Sequence, residues 1–187
     1  MKKIRELVMH KQEIIDMIIK ECHKMGIKKP EAIQYILATV EHETAGTFKP
    51  VRESYWVRDK LIERYGLKKG AKRFEKWAKA NFRYYPYYGR GLVQLTWKQN
   101  YEKFSKILTE MYFSQKIDIV KHPDMVLDVQ FSIKILVYGM KHGIFTGKKI
   151  EDYFGESGSN FIGARRIING TDKAKKIAAI AQAITIG

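Results

Sequence analysis

Apolar residues recur at helical spacing along most of the chain, in segments that begin at proline or end at glycine. In the first segment, residues 3–25, they stand about three or four positions apart until Gly26 ends the pattern. Pro30 opens the next segment, which ends at Glu43. The same pattern recurs over residues 55–65, 70–82, 97–111, 123–143 and 171–184, and more briefly over 146–154 and 161–168. We therefore predict a mainly α fold with about seven or eight helices.

Residues 83–101 do not fit a regular helix. Four tyrosines surround Pro86, and two glycines follow that permit tight turns or a close backbone approach. Residues 92–95 then alternate apolar and polar side chains, as a short strand does. We predict a small β-hairpin element formed by the chain near residues 50–56 and 88–96, so the fold class is mainly α (α+β). Exposed tyrosine rings in this segment would suit stacking on the faces of sugars.

Charge is the unusual part of the composition. The 187 residues include 35 Lys and Arg against 20 Asp and Glu, a formal net charge of +15. Such an excess raises the encounter rate with nucleic acid, anionic lipid or anionic cell-wall polymers, without selecting among them. The length and the absence of linker composition predict one domain over residues 1–187, expected to be a monomer. Cys22 is the single cysteine, and its helical register indicates a core residue rather than a nucleophile.

Targeting signals are not evident. Charged residues interrupt the N-terminal segment before an apolar run long enough for a signal peptide, and no stretch approaches the roughly 20 apolar residues of a membrane span. We therefore expect synthesis in the cytoplasm, no transmembrane segment and, if the protein acts outside the cell, release by some other component.

Two glutamates flank the loop that follows the second predicted helix. Glu43 stands at the C-terminal end of that helix, where partial desolvation and the helix dipole both favour a protonated carboxyl group. Glu53 lies ten residues on, in a more open segment where it can stay ionised. One protonated and one charged carboxyl group are what hydrolysis of a glycosidic bond requires. Carboxylates this close in sequence are common, so the spacing alone is more typical of two solvated glutamates that flank a loop.

The sequence gives little support for metal binding or for nucleic-acid binding. His42 and Glu43 begin like the helix of a zinc protease, but the second histidine four residues later is absent, and we expect no metal and no cofactor. The basic runs at residues 165–166 and 173–176 could contact phosphates, yet no nucleic-acid-binding motif surrounds them. Binding of nucleic acid as the primary function is therefore a remote alternative.

Four segments carry a resemblance to a known family. Residues 88–101 read Tyr-Gly-Arg-Gly-Leu-Val-Gln-Leu-Thr-Trp-Lys-Gln-Asn-Tyr, which resembles the signature of the family 19 glycoside hydrolases. This family includes class I chitinases and many phage endolysins. Residues 42–44 and 51–53 resemble its catalytic segment. Residues 143–147 and 164–172 are similar to later segments of its short bacterial and phage members.

The resemblance implies a lysozyme-like fold in which the β element lines a glycan groove. Glu43 matches the general acid, Glu53 matches the general base of an inverting reaction, and Thr96 matches the hydroxyl residue that holds the attacking water. Matches to substrate-binding residues fall at Tyr88, Gln94, Trp97, Asn100 and Asn169, and supporting roles fall to His42, Arg90 and Arg166. The two arginines are expected to brace carboxylates, since a guanidinium can fix a carboxylate through paired hydrogen bonds.

The implied function is that of an endolysin-type, lysozyme-like (muramidase-like) glycosidase that cleaves the β-1,4 backbone of peptidoglycan. The expected partners are glycan chains and the anionic bacterial envelope, and a bacteriophage holin is the expected means of release. A chitinase acting on β-1,4-linked N-acetylglucosamine is the alternative with the same chemistry. An inactive glycan binder and a nucleic-acid-binding protein are the alternatives from other classes.

Overall fold

A computed structural model describes residues 2–112 and 115–186, with side chains from Lys11 onward. This part of the chain contains seven α-helices and two short strands, which confirms the mainly α fold with a small β element. The elements are α1 (Lys2–Lys24), α2 (Pro30–Glu43), β1 (Val51–Arg52), α3 (Tyr55–Tyr65), α4 (Leu67–Asn81), β2 (Arg90–Gly91), α5 (Lys98–Met111), α6 (Val129–His142) and α7 (Ala174–Ala183). Single 3-10 helices span Pro123–Leu127, Ile150–Asp152 and Gly163–Ile167.

The chain divides into two compact units. One combines the chain up to Lys49 with the chain from Val129, and the other is Pro50–Asp128. The prediction of one domain over residues 1–187 stays a prediction. Within the described ranges, none of the helices has the length and hydropathy that a membrane crossing requires.

The first unit is built around α2. Eight of the nine residues from Ala32 to Val40 are buried, as expected of a helix surrounded by other elements. Helix α2 packs against α7, and α1 packs against α6. Cys22 is fully buried in α1, and burial, with a smaller effect of the neighbouring Glu21 charge, raises the pKa of its thiol to about 12. The thiol is therefore inert near neutral pH, in agreement with the predicted core position.

The second unit contains the helical hairpin α3–α4 and the small sheet. Gly70 allows the two helices to approach closely, because a Cβ at this position would lie 2.5 Å from the carbonyl oxygen of Leu61. The strands β1 and β2 pair in antiparallel orientation, with Val51 opposite Gly91 and Arg52 opposite Arg90. The β element thus lies within the two predicted segments, although it is shorter than they are.

Four of the predicted elements differ from the structure. The helix predicted over residues 123–143 is divided into the 3-10 helix Pro123–Leu127 and α6, because Asp128 is extended. Residues 92–94 form a turn rather than a strand, because Gln94 takes a left-handed conformation with φ of 51°, and Leu95 makes an isolated bridge to Arg90. The segments 146–154 and 161–168 contain only single 3-10 helices. In the second of them the side chain of Asn160 accepts a hydrogen bond from the backbone N–H of Gly163, a local contact that competes with α-helix formation.

Candidate active site

Glu43 is the last residue of α2, as the sequence predicts, and a buried arginine fixes its carboxylate. Nη1 of Arg165 lies 3.0 Å from Oε1 of Glu43, and the two side chains are 5% and 17% exposed. Arg165 also donates from Nε to the backbone oxygen of Asp172 at 3.0 Å, so the guanidinium is held at two points. An ion pair this far from solvent is weakly screened, and it holds the carboxylate in one place.

Arg166, to which the sequence analysis assigned this bracing role, does not make the contact. Its side chain is exposed, whereas the adjacent Arg165 is buried. Both residues belong to the 3-10 helix Gly163–Ile167, in which consecutive side chains point in different directions. The supporting arginine of Glu43 is therefore Arg165, and the prediction for Arg166 is wrong by one position.

Two other groups share the electrostatic surroundings of Glu43. Burial lowers the pKa of His42, the charges of Arg165 and Lys176 lower it further, and the charge of Glu43 opposes the shift. His42 is therefore neutral at neutral pH. Tyr35 is fully buried in α2, and its pKa is raised mainly by burial, with an opposing effect of Arg165. Sequence reasoning missed Tyr35 because a tyrosine at an apolar helical position is typical of a core.

Glu53 follows β1 directly and has both carboxylate oxygens held. The hydroxyl of Tyr84 donates to Oε1 at 2.6 Å, and the backbone N–H of Gly89 donates to Oε2 at 2.8 Å. A Cβ at position 89 would lie 2.7 Å from Oε1 of Gln94 and 3.3 Å from Oε2 of Glu53, so a larger residue there would displace these two side chains. Two hydrogen-bond donors aimed at one carboxylate fix its direction.

Tyr84 was not among the predicted site residues. Its pKa is raised to about 12, first by burial and then by the hydrogen bond to Glu53 and the charge of that carboxylate. The phenol of Tyr84 therefore keeps its proton near neutral pH and donates a hydrogen bond to Glu53. The tyrosine-rich composition of residues 83–88 was the available signal, but it did not distinguish this ring from its neighbours.

A chain of hydrogen bonds connects three predicted residues of the second unit. Nε2 of Gln94 donates to the backbone oxygen of Val51 at 3.0 Å. Oγ1 of Thr96 donates to the backbone oxygen of Gln94 at 2.8 Å, and Nδ2 of Asn100 donates to the backbone oxygen of Thr96 at 2.9 Å. All three side chains are partly exposed. The Thr96 oxygen keeps its lone pairs, so it can accept a hydrogen bond from a water molecule.

The two aromatic residues predicted to contact sugar differ in exposure. Trp97 is 44% exposed, and its ring lies 5.0 Å from that of Tyr84, the donor to Glu53. Tyr88 is fully buried, packs edge-on against Phe74 and donates from its hydroxyl to Glu75 at 2.9 Å. A ring buried in this way has no face for a sugar, so the predicted sugar contact of Tyr88 is wrong. Trp97 stays partly open to solvent, and the guanidinium of Arg83 lies over its ring at 4.9 Å.

Arg90 braces a carboxylate, but the partner is Asp124 rather than a glutamate. Nε of Arg90 lies 2.9 Å from Oδ1 of Asp124, and Nη2 of Arg52 lies 2.7 Å from Oδ2. Arg90 also donates from Nη1 to the backbone oxygens of Pro86 and Tyr88. It therefore fixes the loop that carries the two donors to Glu53. Burial acts to raise the pKa of Asp124, but the hydrogen bonds and charges of Arg52 and Arg90 hold it below its ordinary value.

The predicted residues thus form two groups, one in each unit. Glu43 and His42 lie in the first unit, together with Asn169, whose exposed side chain accepts a hydrogen bond from the backbone N–H of Gly170 at 2.9 Å. The other group lies in the second unit and consists of Glu53, Gln94, Thr96, Trp97 and Asn100. Across the described residues there is no cluster of three or more His, Cys, Asp or Glu side chains placed to hold a metal ion.

Comparisons of the chain with family models, with curated proteins and with solved structures gave no match.

Replacing Asp124 by Asn should destabilise the protein, because buried Arg90 would lose its counter-charge. We expect a loss of about 1–2 kcal/mol in the free energy of unfolding at neutral pH. The loss is not larger because Asp124 is 60% exposed, and solvent weakens its attraction to the two arginines. The folded-state pKa of Asp124 is lowered, so the stabilisation exists above the ordinary pKa of aspartate and disappears as pH falls through the folded-state value. Urea unfolding from neutral pH to about pH 2.5 should show the two stability curves converging.

The exposed Asp59 on α3 provides the control. Asp59→Asn removes the same charge and should leave the unfolding midpoint almost unchanged. An equal loss for both variants, or a difference between wild type and Asp124→Asn that persists at low pH, would contradict the role given to the pair of arginines.

Proposed function

We propose that this protein is an endolysin-type peptidoglycan hydrolase that cleaves the β-1,4 glycan backbone by acid and base catalysis with inversion. The observation that supports it most is that the carboxylates of Glu43 and Glu53 each have dedicated donors. Solvated glutamates of an ordinary surface loop are bonded to water, whereas Glu43 contacts a buried arginine and Glu53 accepts a hydrogen bond from a phenol. Fixed carboxyl groups are what general acid and general base catalysis require.

Glu53 is the proposed general base. Each of its oxygens accepts one hydrogen bond from the protein, which leaves further lone pairs free to accept a proton from water. The hydroxyl of Thr96 is the proposed second contact of that water, and the exposed ring of Trp97 is the proposed surface for a sugar. Because Tyr84 and Gly89 fix the direction of the carboxylate, little reorganisation is needed at the moment of reaction.

Glu43 is the proposed general acid, and Arg165 has a defined part in this role. Negative charge develops on Glu43 as its proton moves to the leaving oxygen, and the buried guanidinium at 3.0 Å stabilises that charge. A mechanism with one general acid and one general base predicts a bell-shaped dependence of activity on pH.

Peptidoglycan is favoured over chitin by charge. A formal net charge of +15 attracts the protein to anionic bacterial walls, whereas chitin is neutral. The decisive assay compares turbidity loss of purified cell walls with cleavage of chitin oligomers, and identifies the products by mass. Release of wall disaccharides supports the proposal, and cleavage of chitin alone would make the protein a chitinase. Salt-dependent binding of duplex DNA without any glycan cleavage would instead identify a nucleic-acid-binding protein.

Tyr84→Phe should reduce hydrolysis while leaving substrate binding almost intact, because it removes one of the two donors to Glu53 and nothing else. We expect kcat to fall by about 10-fold to 100-fold with KM little changed, since a small misplacement of a catalytic group is costly. Steady-state kinetics on a soluble glycan fragment measures both quantities.

Tyr85→Phe is a matched control for Tyr84→Phe. Tyr85 belongs to the same loop, but its hydroxyl interacts with Glu75, which has no proposed role in catalysis. It should retain most of the wild-type kcat. If both variants lost activity equally, the hydroxyl groups would matter only for the loop, and the specific link between Tyr84 and Glu53 would be refuted.

A further inference from the structure

Helix α4 carries a row of exposed lysines that are not part of the candidate active site. Six of its residues are basic and one, Glu75, is acidic. Five exposed lysines fall within an arc of about 100° of the helix circumference at 3.6 residues per turn. We call them the lysine stripe; they are Lys68, Lys69, Lys72, Lys76 and Lys79.

The stripe is free to bind an anion. No ion pair joins any of its lysines to another described residue. Glu75 accepts a hydrogen bond from the hydroxyl of the buried Tyr88 instead. Arg73, the sixth basic residue, is placed over the ring of Tyr65 at 4.1 Å and does not belong to the stripe. Like charges gathered on one face repel one another, and an anionic partner relieves that repulsion.

The shape of the stripe favours a linear partner. Lys68 and Lys79 are separated by about 16 Å along the helix axis. From Lys69 onward the charges are about one turn apart, and Lys68 directly precedes Lys69. The opposite side of α4, with Phe74 and Ala78, is fully buried. We propose that the stripe binds a flexible wall polymer that carries a phosphodiester in every repeat, such as a poly(glycerol phosphate) chain. That such a polymer is the partner rests on the function proposed above.

Two other polyanions fit the stripe less well. A membrane-binding helix needs apolar side chains beside its charges to enter the interface, and the buried face of α4 is turned into the protein. Single-stranded nucleic acid is bound through aromatic rings that stack on its bases. The two aromatic residues of α4 are not offered for such stacking, because Phe74 is fully buried and Trp77 packs against it. A polyol phosphate requires only a line of positive charges, which the stripe supplies over about three turns of α4.

The test measures binding of soluble poly(glycerol phosphate) to the full-length protein as a function of salt. Five phosphate contacts predict an affinity that falls about 100-fold between 50 and 200 mM salt, from a slope of about −0.7 per contact. The variant K68Q/K72Q/K76Q/K79Q should retain only about a threefold dependence over the same range, because a single stripe lysine remains.

A matched variant removes the same charge elsewhere. K28Q/K103Q/K121Q/K175Q replaces four exposed lysines outside the stripe, and it should keep the salt dependence of the wild type. K68R/K72R/K76R/K79R keeps the charge and should bind as the wild type does. All these side chains are exposed, so far-UV circular dichroism and urea midpoints should be unchanged.

The possible outcomes separate the stripe from general charge and from other ligands. If the two glutamine variants lost the same affinity for poly(glycerol phosphate), binding would depend on net charge and the inference would be overturned. Unchanged binding by the stripe variant would also overturn it. Binding only to vesicles of phosphatidylglycerol or only to a single-stranded oligonucleotide would also overturn it. No hydrolysis occurs in this experiment, so a failed glycan-cleavage assay would refute the proposed function without affecting the binding result.

Discussion

Replacing Glu43 by Gln should reduce wall hydrolysis by about 10²–10⁴-fold, the usual contribution of a general acid. The amide has nearly the same shape as the carboxyl group, and its oxygen can still accept the hydrogen bond from Arg165. It cannot donate a proton to the leaving oxygen. The loss should therefore appear in kcat, whereas binding to intact walls should be retained.

The fold of this variant needs its own measurement, because buried Arg165 loses its counter-charge. We expect a loss of about 1–3 kcal/mol in the free energy of unfolding, and activity has to be compared at a temperature at which both proteins are fully folded. Glu41→Gln is the control, since Glu41 stands on the same helix but about 200° around it. Hydrolysis by Glu43→Gln within a few-fold of the wild-type rate would remove Glu43 from the mechanism.

The ends of the helices were predictable because local residues determine them. Pro30 begins α2 at the first turn, and Gly66 follows the last residue of α3. The placement of Glu43 at a helix end follows from such signals alone. Just beyond it, Thr44 donates from Oγ1 to the backbone oxygen of Val40 at 2.7 Å and accepts from the backbone N–H of Phe48, which stabilises the exit of the chain from the helix.

The supporting contacts were not predictable, because they join residues that are far apart in the sequence. Glu43 and Arg165 are separated by 122 positions, and Arg52 and Asp124 by 72. Nothing in the neighbourhood of Asp124 distinguishes it from an ordinary acidic residue near the start of a helix. The choice between Arg165 and Arg166 depends on side-chain direction within one 3-10 helix, which a sequence pattern does not determine.

The tyrosine-rich segment shows a second limit of pattern reasoning. Its composition correctly excluded a helix, but exposure of the individual rings depends on the backbone path. Gln94 and Trp97 both have positive φ, at 51° and 74°, and these turns bring the segment back on itself. Tyr88 is fully buried, whereas Trp97 is 44% exposed. A periodicity argument treats the rings as equivalent.

Glu53→Ala should abolish hydrolysis and should be partly rescued by azide, and the configuration of the product tests the role of Glu53. A general base activates water on the face opposite the leaving group, so the wild type should release an α-anomer from a β-1,4 glycan. In the variant, azide needs no deprotonation and can occupy the space left by the carboxylate. The expected product is an α-glycosyl azide, formed by the same single displacement.

The alternative is a nucleophilic Glu53, which would form a glycosyl-enzyme intermediate and release a β-anomer first. The hydrogen bonds from Tyr84 and Gly89 favour the base, because they restrain both oxygens of the carboxylate, while attack on carbon requires one of them to move toward the sugar. Proton NMR of the first product, recorded before mutarotation, separates the two mechanisms.

Glu63 is an exposed glutamate on α3, and the control variant Glu63→Ala should keep wild-type activity. An initial β-anomer from the wild type would leave Glu53 as a nucleophile or a bystander, and a β-configured azide product from Glu53→Ala would likewise exclude single displacement.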